Sequence, residues 1–357
     1  MIPIVIGSVT DYSGKSLVWL GMGLRFKKDG LKVGFFKPIG ALPVKADGKL
    51  VDEDALFLKR AIGVKEPLES LCPVVLTEEV IASFLKGKKF KVRDTVLGAF
   101  NRLSKGKDLL LVHGLGRLSS GTVVGLSELD FVQEVKAKVI LIDKFENPLE
   151  TLDGFLYALC ILKDRLLGVV FNLVPPGRIG YIKEVVVPYL ESRGISTLGI
   201  VPKDPVIGAV PVREFLEALH GELLCGEERL DELVEHCMIG AMNVESALKY
   251  FRRVSNKAVI TGGDRSDIQL AALETPTKCL ILTGGLYPCE SILTRAREMG
   301  TPVMVVKRDT AETIDICEGL ASHLHRWSKV KLSRMQEVVE REIDFGLLYK
   351  KLGLKPT

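Results

Sequence analysis

No apolar run in the 357-residue sequence approaches the roughly 18 residues that cross a bilayer as a helix. The opening MIPIVIGSVT has no basic leader ahead of its apolar stretch, so it reads as a buried first strand and not as a secretory signal. Charge of one sign is scarce: 49 Lys and Arg stand against 45 Asp and Glu, a formal +4, too slight to imply nucleic acid. The seven cysteines, Cys72, Cys160, Cys225, Cys237, Cys279, Cys289 and Cys317, are scattered with no Cys-x-x-Cys pair to hold zinc or a redox disulfide. A cytoplasmic protein in a reducing compartment is expected. There is no low-complexity tract and no repeat at solenoid spacing. With 47% apolar and 26% charged residues, disorder, collagen and coiled coil are excluded in favour of a folded protein of two or three domains.

Short apolar runs alternate with helical periods along most of the chain, the sequence form of a parallel sheet covered on both faces. The strands read at Pro3 to Ile6, Lys32 to Phe36, Leu109 to Val112, Lys138 to Ile142, Leu167 to Phe171 and Ser196 to Ile200 predict a doubly wound α/β domain. Trp19, Met22 and Phe26 fall at core-packing positions of the first helix. The two prolines of Val201-Pro202-Lys203-Asp204-Pro205 place a boundary there, giving a domain over 1–205. A smaller α/β domain follows over 206–320, with a helix near Val212 to Leu219 and strands at Lys257 to Ile260, Cys279 to Leu282 and Pro302 to Val306. Residues 321–357 read as a C-terminal helical extension, its helical spacing running from Ser333 to Leu352.

The first strand ends in Gly7-Ser8-Val9-Thr10-Asp11-Tyr12-Ser13-Gly14-Lys15-Ser16, and an amphipathic helix starts at once. That is the context of a phosphate loop. Backbone N–H groups from Gly7 through Thr10, Ser13 and Gly14 can surround a phosphate chain; Lys15 adds a positive charge and the Ser16 hydroxyl can ligate Mg²⁺. The usual glycine five positions before Gly14 is replaced by Val9. Lys37-Pro38 brings a second cation to the carboxyl edge of the sheet, where open α/β folds bind ligands. Asp52-Glu53-Asp54-Ala55 opens a helical segment, where carboxylates are ordinary dipole partners.

Together with Gly168-Val169-Val170-Phe171-Asn172 and Leu198-Gly199-Ile200-Val201-Pro202, these motifs resemble the dethiobiotin synthetase family and related ATP-dependent amidoligases over the first 205 residues. The resemblance implies that Ser16 and Asp54 hold Mg²⁺. It also implies that Lys15 and Lys37 contact phosphates or a carboxylated substrate, and that Asn172 and Pro202 border the adenine of ATP. One departure stands out: that family's Val-Glu-Gly after the third strand is here Val112-His113-Gly114. A neutral imidazole is a poor ligand for hard Mg²⁺. His113 is therefore expected to face the phosphate site from a strand end, with nucleotide binding outlasting turnover.

In the second domain, Ile260-Thr261-Gly262-Gly263-Asp264-Arg265-Ser266-Asp267-Ile268-Gln269 and Leu282-Thr283-Gly284-Gly285 are two strand ends followed by Thr-Gly-Gly. Such open turns admit a ligand to the backbone, with Asp264 and Arg265 offering a carboxylate and a fork of donors. The plainer alternative is that the glycines permit turns and Asp264 caps a helix. With Ile239-Gly240-Ala241-Met242 and Asp309-Thr310, the region resembles the DRTGG domain. The resemblance implies an effector site over Gly262, Gly263, Asp264, Arg265, Thr283, Gly284, Gly285, Asp309 and Thr310, and a homodimer formed through this domain. Joined to a dethiobiotin-synthetase-like domain, it resembles the N-terminal regulatory half of long phosphate acetyltransferases, without their catalytic half.

His323-Leu324-His325 is spaced like a metal pair but has no companion ligands, and His236-Cys237 is weaker still. Three readings stand. The first is an ATP-binding regulator or sensor, without acetyltransferase activity of its own, that acts on an enzyme partner. The second is an ATP-dependent carboxylase or amidoligase for a small substrate. The third is a scaffold whose sites have lapsed. His113 and the appended domain favour the first.

Overall fold

The computed structural model describes residues 1–10, 13–46, 48–320 and 329–354. The chain divides into two compact units, Met1–Lys203 with Trp327–Thr357, and Asp204–Arg326. The first is built on β1 (Ile2–Ser8), β2 (Val33–Phe36), β3 (Leu109–His113), β4 (Lys138–Asp143), β5 (Leu166–Val174) and β6 (Thr197–Pro202). All six run parallel in the order β6-β5-β4-β1-β3-β2. These are the six strands read from the sequence, each within three residues at either end. Side chains of the first five are buried on both faces, and only β6 is half-exposed, which is why they read as continuous apolar runs and not as alternating ones.

Helices α1 (Lys15–Lys28), α2 (Glu53–Ala61), α3 (Val92–Leu103), α4 (Glu128–Glu134) and α5 (Pro148–Leu162) belong to this unit. Helix α1 buries Trp19, Met22 and Phe26 and carries Arg25, Lys27 and Lys28 in its last turn, where cations suit the helix dipole. A small antiparallel hairpin, Pro43–Ala46 with Lys49–Asp52, leads into α2; its short, half-exposed strands left no pattern in the sequence.

The second unit has α6 (Val212–Ala218), β7 (Glu222–Cys225), β8 (His236–Ile239), β9 (Lys257–Gly262), α7 (Ser266–Leu273), β10 (Thr277–Thr283), α8 (Glu290–Met299), β11 (Val303–Val305) and α9 (Thr310–Leu320). Its sheet order is β7-β11-β10-β9-β8, with only β7 antiparallel to its neighbour. The sequence reading found the three inner strands and missed the edges, because β8 is largely exposed. His236 and Cys237 are simply edge-strand residues. His323 and His325 lie outside the described residues. Among the described residues no helix is long and apolar enough to cross a membrane.

The expected C-terminal helical extension consists of two helices, α10 (Lys329–Glu342) and α11 (Phe345–Leu352). The break has a cause. Ile343 leaves the helix to bridge Gly199 of β6, the Asp344 N–H donates to the Leu198 carbonyl at 2.7 Å, and the Asp344 carboxylate caps α11 through the Leu347 N–H. This helical extension groups with the first unit. Val339 packs where a Cβ on Gly21 would stand at 2.6 Å, Phe26 meets Phe345 and Tyr349 edge-on, and Tyr349 donates to Asp29 at 2.6 Å.

Candidate functional site: the phosphate loop and its buried charges

Strand β1 delivers the loop to the carboxyl edge of the first sheet, and Gly14 turns it into α1. Gly14 has φ 73°, a left-handed conformation that glycine adopts freely. A Cβ there would also collide with the Asn172 side chain. Asn172, on β5 and fully buried, donates from Nδ2 to the Ser13 and Gly14 carbonyls at 2.9 and 3.1 Å. Its amide thus braces the loop from beneath, and its Oδ1 remains without a partner. Thr10 donates to Asp143 at the end of β4 at 2.5 Å, and the same carboxylate accepts from Thr151 and the Phe145 N–H, tying the loop to the start of α5. Pro202 closes β6 in register with Val174.

Lys15 Nζ reaches the Ser8 hydroxyl at 3.1 Å. Ser16 Oγ lies 3.0 Å from His113 Nε2, and the other ring nitrogen, Nδ1, lies 3.0 Å from the Gly114 carbonyl. A carbonyl only accepts, so Nδ1 carries the proton and Nε2 accepts from Ser16. Burial, with Lys37 and Lys15 nearby, pushes the His113 pKa down to about 3, so the ring is neutral. His113 therefore stands where expected, at the end of β3 against the phosphate loop, with its ring edge-on to Trp19.

Lys37 is not turned toward solvent. It is buried between two carboxylates, 3.0 Å from Asp52 and 2.5 Å from Asp54, both themselves buried. Asp52 also accepts from the Asp54 and Ala55 N–H groups, capping α2. Burial alone would raise the Asp54 carboxyl, but the Lys37 ammonium holds it below the ordinary range; Asp52 is raised by burial.

Sequence reasoning missed Glu128. It is the first residue of α4, after the Ser127 cap, and nothing in Ser127-Glu128-Leu129-Asp130 separates it from an ordinary first-turn acid. In the fold it is buried beneath the loop, where a Cβ on Gly7 or Gly114 would run into its carboxyl oxygens. Burial, opposed by Lys15, pushes its pKa up to about 8.

In the second unit, the two Thr-Gly-Gly turns lie side by side and are stitched together. Gly263 N–H donates to the Thr283 carbonyl, Gly284 N–H to Arg308, and Gly285 N–H to Val306. Thr283 and Thr310 hydroxyls meet at 2.9 Å, and Asp309 caps the start of α9. Arg265 is bound to Asp267 and the Met242 carbonyl. Asp264 does not cap α7: the capping position is Arg265, with no side-chain cap. Gln269, fully buried, donates to the Gly262 and Gly263 carbonyls.

A parallel sheet with a phosphate loop at its first strand, followed by a second α/β unit, defines a P-loop domain joined to a smaller module. The family profile described as AAA domain matches residues 3–211, more than half of the sequence, and the chain belongs to that family. A DRTGG domain matches residues 214–320. The phosphate acetyltransferase of Nitratidesulfovibrio vulgaris is 25% identical over 368 residues, covering 97% of this chain and 51% of the relative. The chain thus spans about half the length of the first curated relatives it matches. The ATP-dependent dethiobiotin synthetase BioD of Thermodesulfovibrio yellowstonii is 28% identical over 232 residues, covering 58% of this chain and 93% of that protein. Among solved structures, the CBS and DRTGG regulatory region of Clostridium perfringens pyrophosphatase, complexed with diadenosine tetraphosphate, covers 41% of this chain and 73% of its own at 20% identity and a TM-score of 0.29.

Proposed function

We propose that the chain is a nucleotide-binding regulatory module that takes MgATP or MgADP on the phosphate loop and acts on an enzyme partner in the cytoplasm. One observation carries this reading. Among the described residues, five buried side-chain polar atoms lack a hydrogen-bond partner, and three of them, Ser13 Oγ, Glu128 Oε1 and Asn172 Oδ1, surround the loop. Buried polar groups are ordinarily paired, so a cluster of orphans is where a polar ligand belongs.

The donor set fits a hard cation. The Ser16 hydroxyl donates a hydrogen bond to neutral His113, which leaves the lone pairs of its oxygen for a metal, and Asp54 stays ionised. Bound there, Mg²⁺ would neutralise phosphate charge. Lys15 would contact the phosphates; Lys37, spent on Asp52 and Asp54, sets the charge of the metal side and serves phosphate only indirectly. With a histidine in place of a strand-end carboxylate, the site holds nucleotide better than it turns it over, which favours regulation over the ligase reading. A homodimer through the DRTGG unit and an effector at its paired turns belong to the same proposal.

Isothermal titration with ATP, ADP, AMP and acetyl-CoA, each with Mg²⁺, tests it on the whole chain. Binding of ATP or ADP that depends on Lys15 supports the reading; no heat with any adenine nucleotide removes it.

A further inference from the structure

We propose that Glu128 is a positioning residue for Lys15: it anchors the backbone that holds the lysine through Ser8, and its ionised form competes with phosphate for the ammonium group. The inference rests on the nucleotide-binding reading above and goes beyond it.

The connection can be followed atom by atom. Helix α4 is fixed at its start by a capping box, in which Asp130 N–H donates to Ser127 Oγ and Ser127 N–H donates to Asp130 at 3.0 Å each. From that rigid start the Glu128 side chain passes under Gly7 and Gly114, whose missing Cβ atoms make the room. Its Oε2 accepts from the Gly116 N–H at 3.2 Å. The Gly116 carbonyl accepts from the Ser8 N–H at 3.0 Å and the Ser8 hydroxyl at 3.2 Å, and Ser8 Oγ accepts from Lys15 Nζ. Glu128, the Gly116 backbone, Ser8 and Lys15 thus form one line of hydrogen bonds, while Glu128 Oε1 stays buried and unpartnered.

Among the described residues the charges around the carboxyl are few. Lys15 of α1 is the cation acting on it. Strands β1 and β4 present Gly7 and Leu141; β3 ends in neutral His113, turned to Ser16; and Asp130 of α4 is engaged by Ser127. A neutral Glu128 leaves the lysine to a phosphate. An ionised one attracts the same ammonium and repels the phosphate, so ligand binding and loss of the Glu128 proton oppose each other.

The test is the affinity for MgADP from pH 7 to 9, by titration calorimetry on wild type and Glu128→Gln. Wild-type affinity should fall about tenfold across that range, since Glu128 ionises near pH 8, while the glutamine variant should show no such fall. A variant that keeps the wild-type slope overturns the proposal. Should neither protein bind MgADP, the nucleotide reading fails, and ligand-free unfolding then decides the Glu128–Lys15 link. An acid whose folded pKa is raised stabilises the fold at low pH, and that stability is lost as pH climbs through the folded value. Relative to Glu128→Gln, wild type should therefore lose melting temperature between about pH 4.5 and 8. In Lys15→Met, which lacks the cation that favours ionisation, the loss should move to higher pH. An unmoved profile overturns the link.

Discussion

The carboxyl edges of the two sheets carry similar sequence, an apolar strand running into a glycine turn with a cation close behind, yet they are finished in opposite ways. In the first unit the loop is braced from below by Asn172 and Asp143, and around it three buried polar atoms are left unpartnered. In the second, the N–H groups of Gly263, Gly284 and Gly285 are spent on neighbouring carbonyls and Arg265 is already bound. Among the described residues the second turn leaves one buried polar atom unpartnered, Gln269 Oε1, against three around the first loop, so the cost that a ligand can relieve is larger at the first.

Several substitutions can break or sharpen this contrast. The largest effect is expected from Lys37→Met, which strands two buried carboxylates; loss of about 3–5 kcal/mol in chemical denaturation is expected, and a loss under about 1 kcal/mol would mean that the buried trio is not what holds this edge. Next comes Lys15→Ala. Removal of a charged hydrogen bond to phosphate is worth about 1.5–3 kcal/mol, so MgADP should bind roughly 10- to 100-fold more weakly, with little change in melting temperature. Gly14→Ala forces alanine into a left-handed conformation and against Asn172, at about 1–2 kcal/mol of stability, and should also weaken nucleotide binding; an unperturbed melting curve would show that the loop relaxes freely.

His113→Glu puts a second acid near Asp54. Without metal the variant should be about 1–3 kcal/mol less stable, with Mg²⁺ and nucleotide restoring the loss and raising ATP hydrolysis above the wild-type rate. Equal hydrolysis by both proteins would separate His113 from turnover. The smallest change belongs to the second unit: Arg265→Ala removes a solvent-screened surface pair and should leave both the melting temperature and MgADP affinity nearly untouched. An altered affinity would show that the two edges are coupled.

How far the sequence foretold this depends on whether a residue's role is local. Gly14, Lys15 and Ser16 are contiguous and sit at a strand-to-helix junction, so motif and context sufficed. His113 could be placed because it ends an apolar run. The partners of Lys37 lie 15 and 17 residues away across a hairpin with short, half-exposed strands, and so the lysine read as a cation for the ligand and not as one held between two carboxylates. Glu128 is 113 positions from Lys15 and looks like any acid in a first turn; its burial exists only once α4 packs under two glycines. The edge strands β7 and β8 were missed for a related reason, since exposure on one side removes the apolar run that marks an inner strand. The break between α10 and α11 is set by residues 198 and 199, far outside any helical window.

That break makes the order of synthesis differ from the order of assembly. The segment that covers α1 and lies along the β6 edge is the last of the first unit to be translated, after more than one hundred residues of the second. Until it arrives, the faces of Gly21 and Phe26 and the backbone at Leu198 and Gly199 remain bare on the nascent chain. Cutting the chain after residue 205 would not yield the first unit but an uncapped fragment of it. A clean dissection has to excise Asp204–Arg326 from the middle and rejoin the flanks with a linker, because in topological terms the second unit is an insertion.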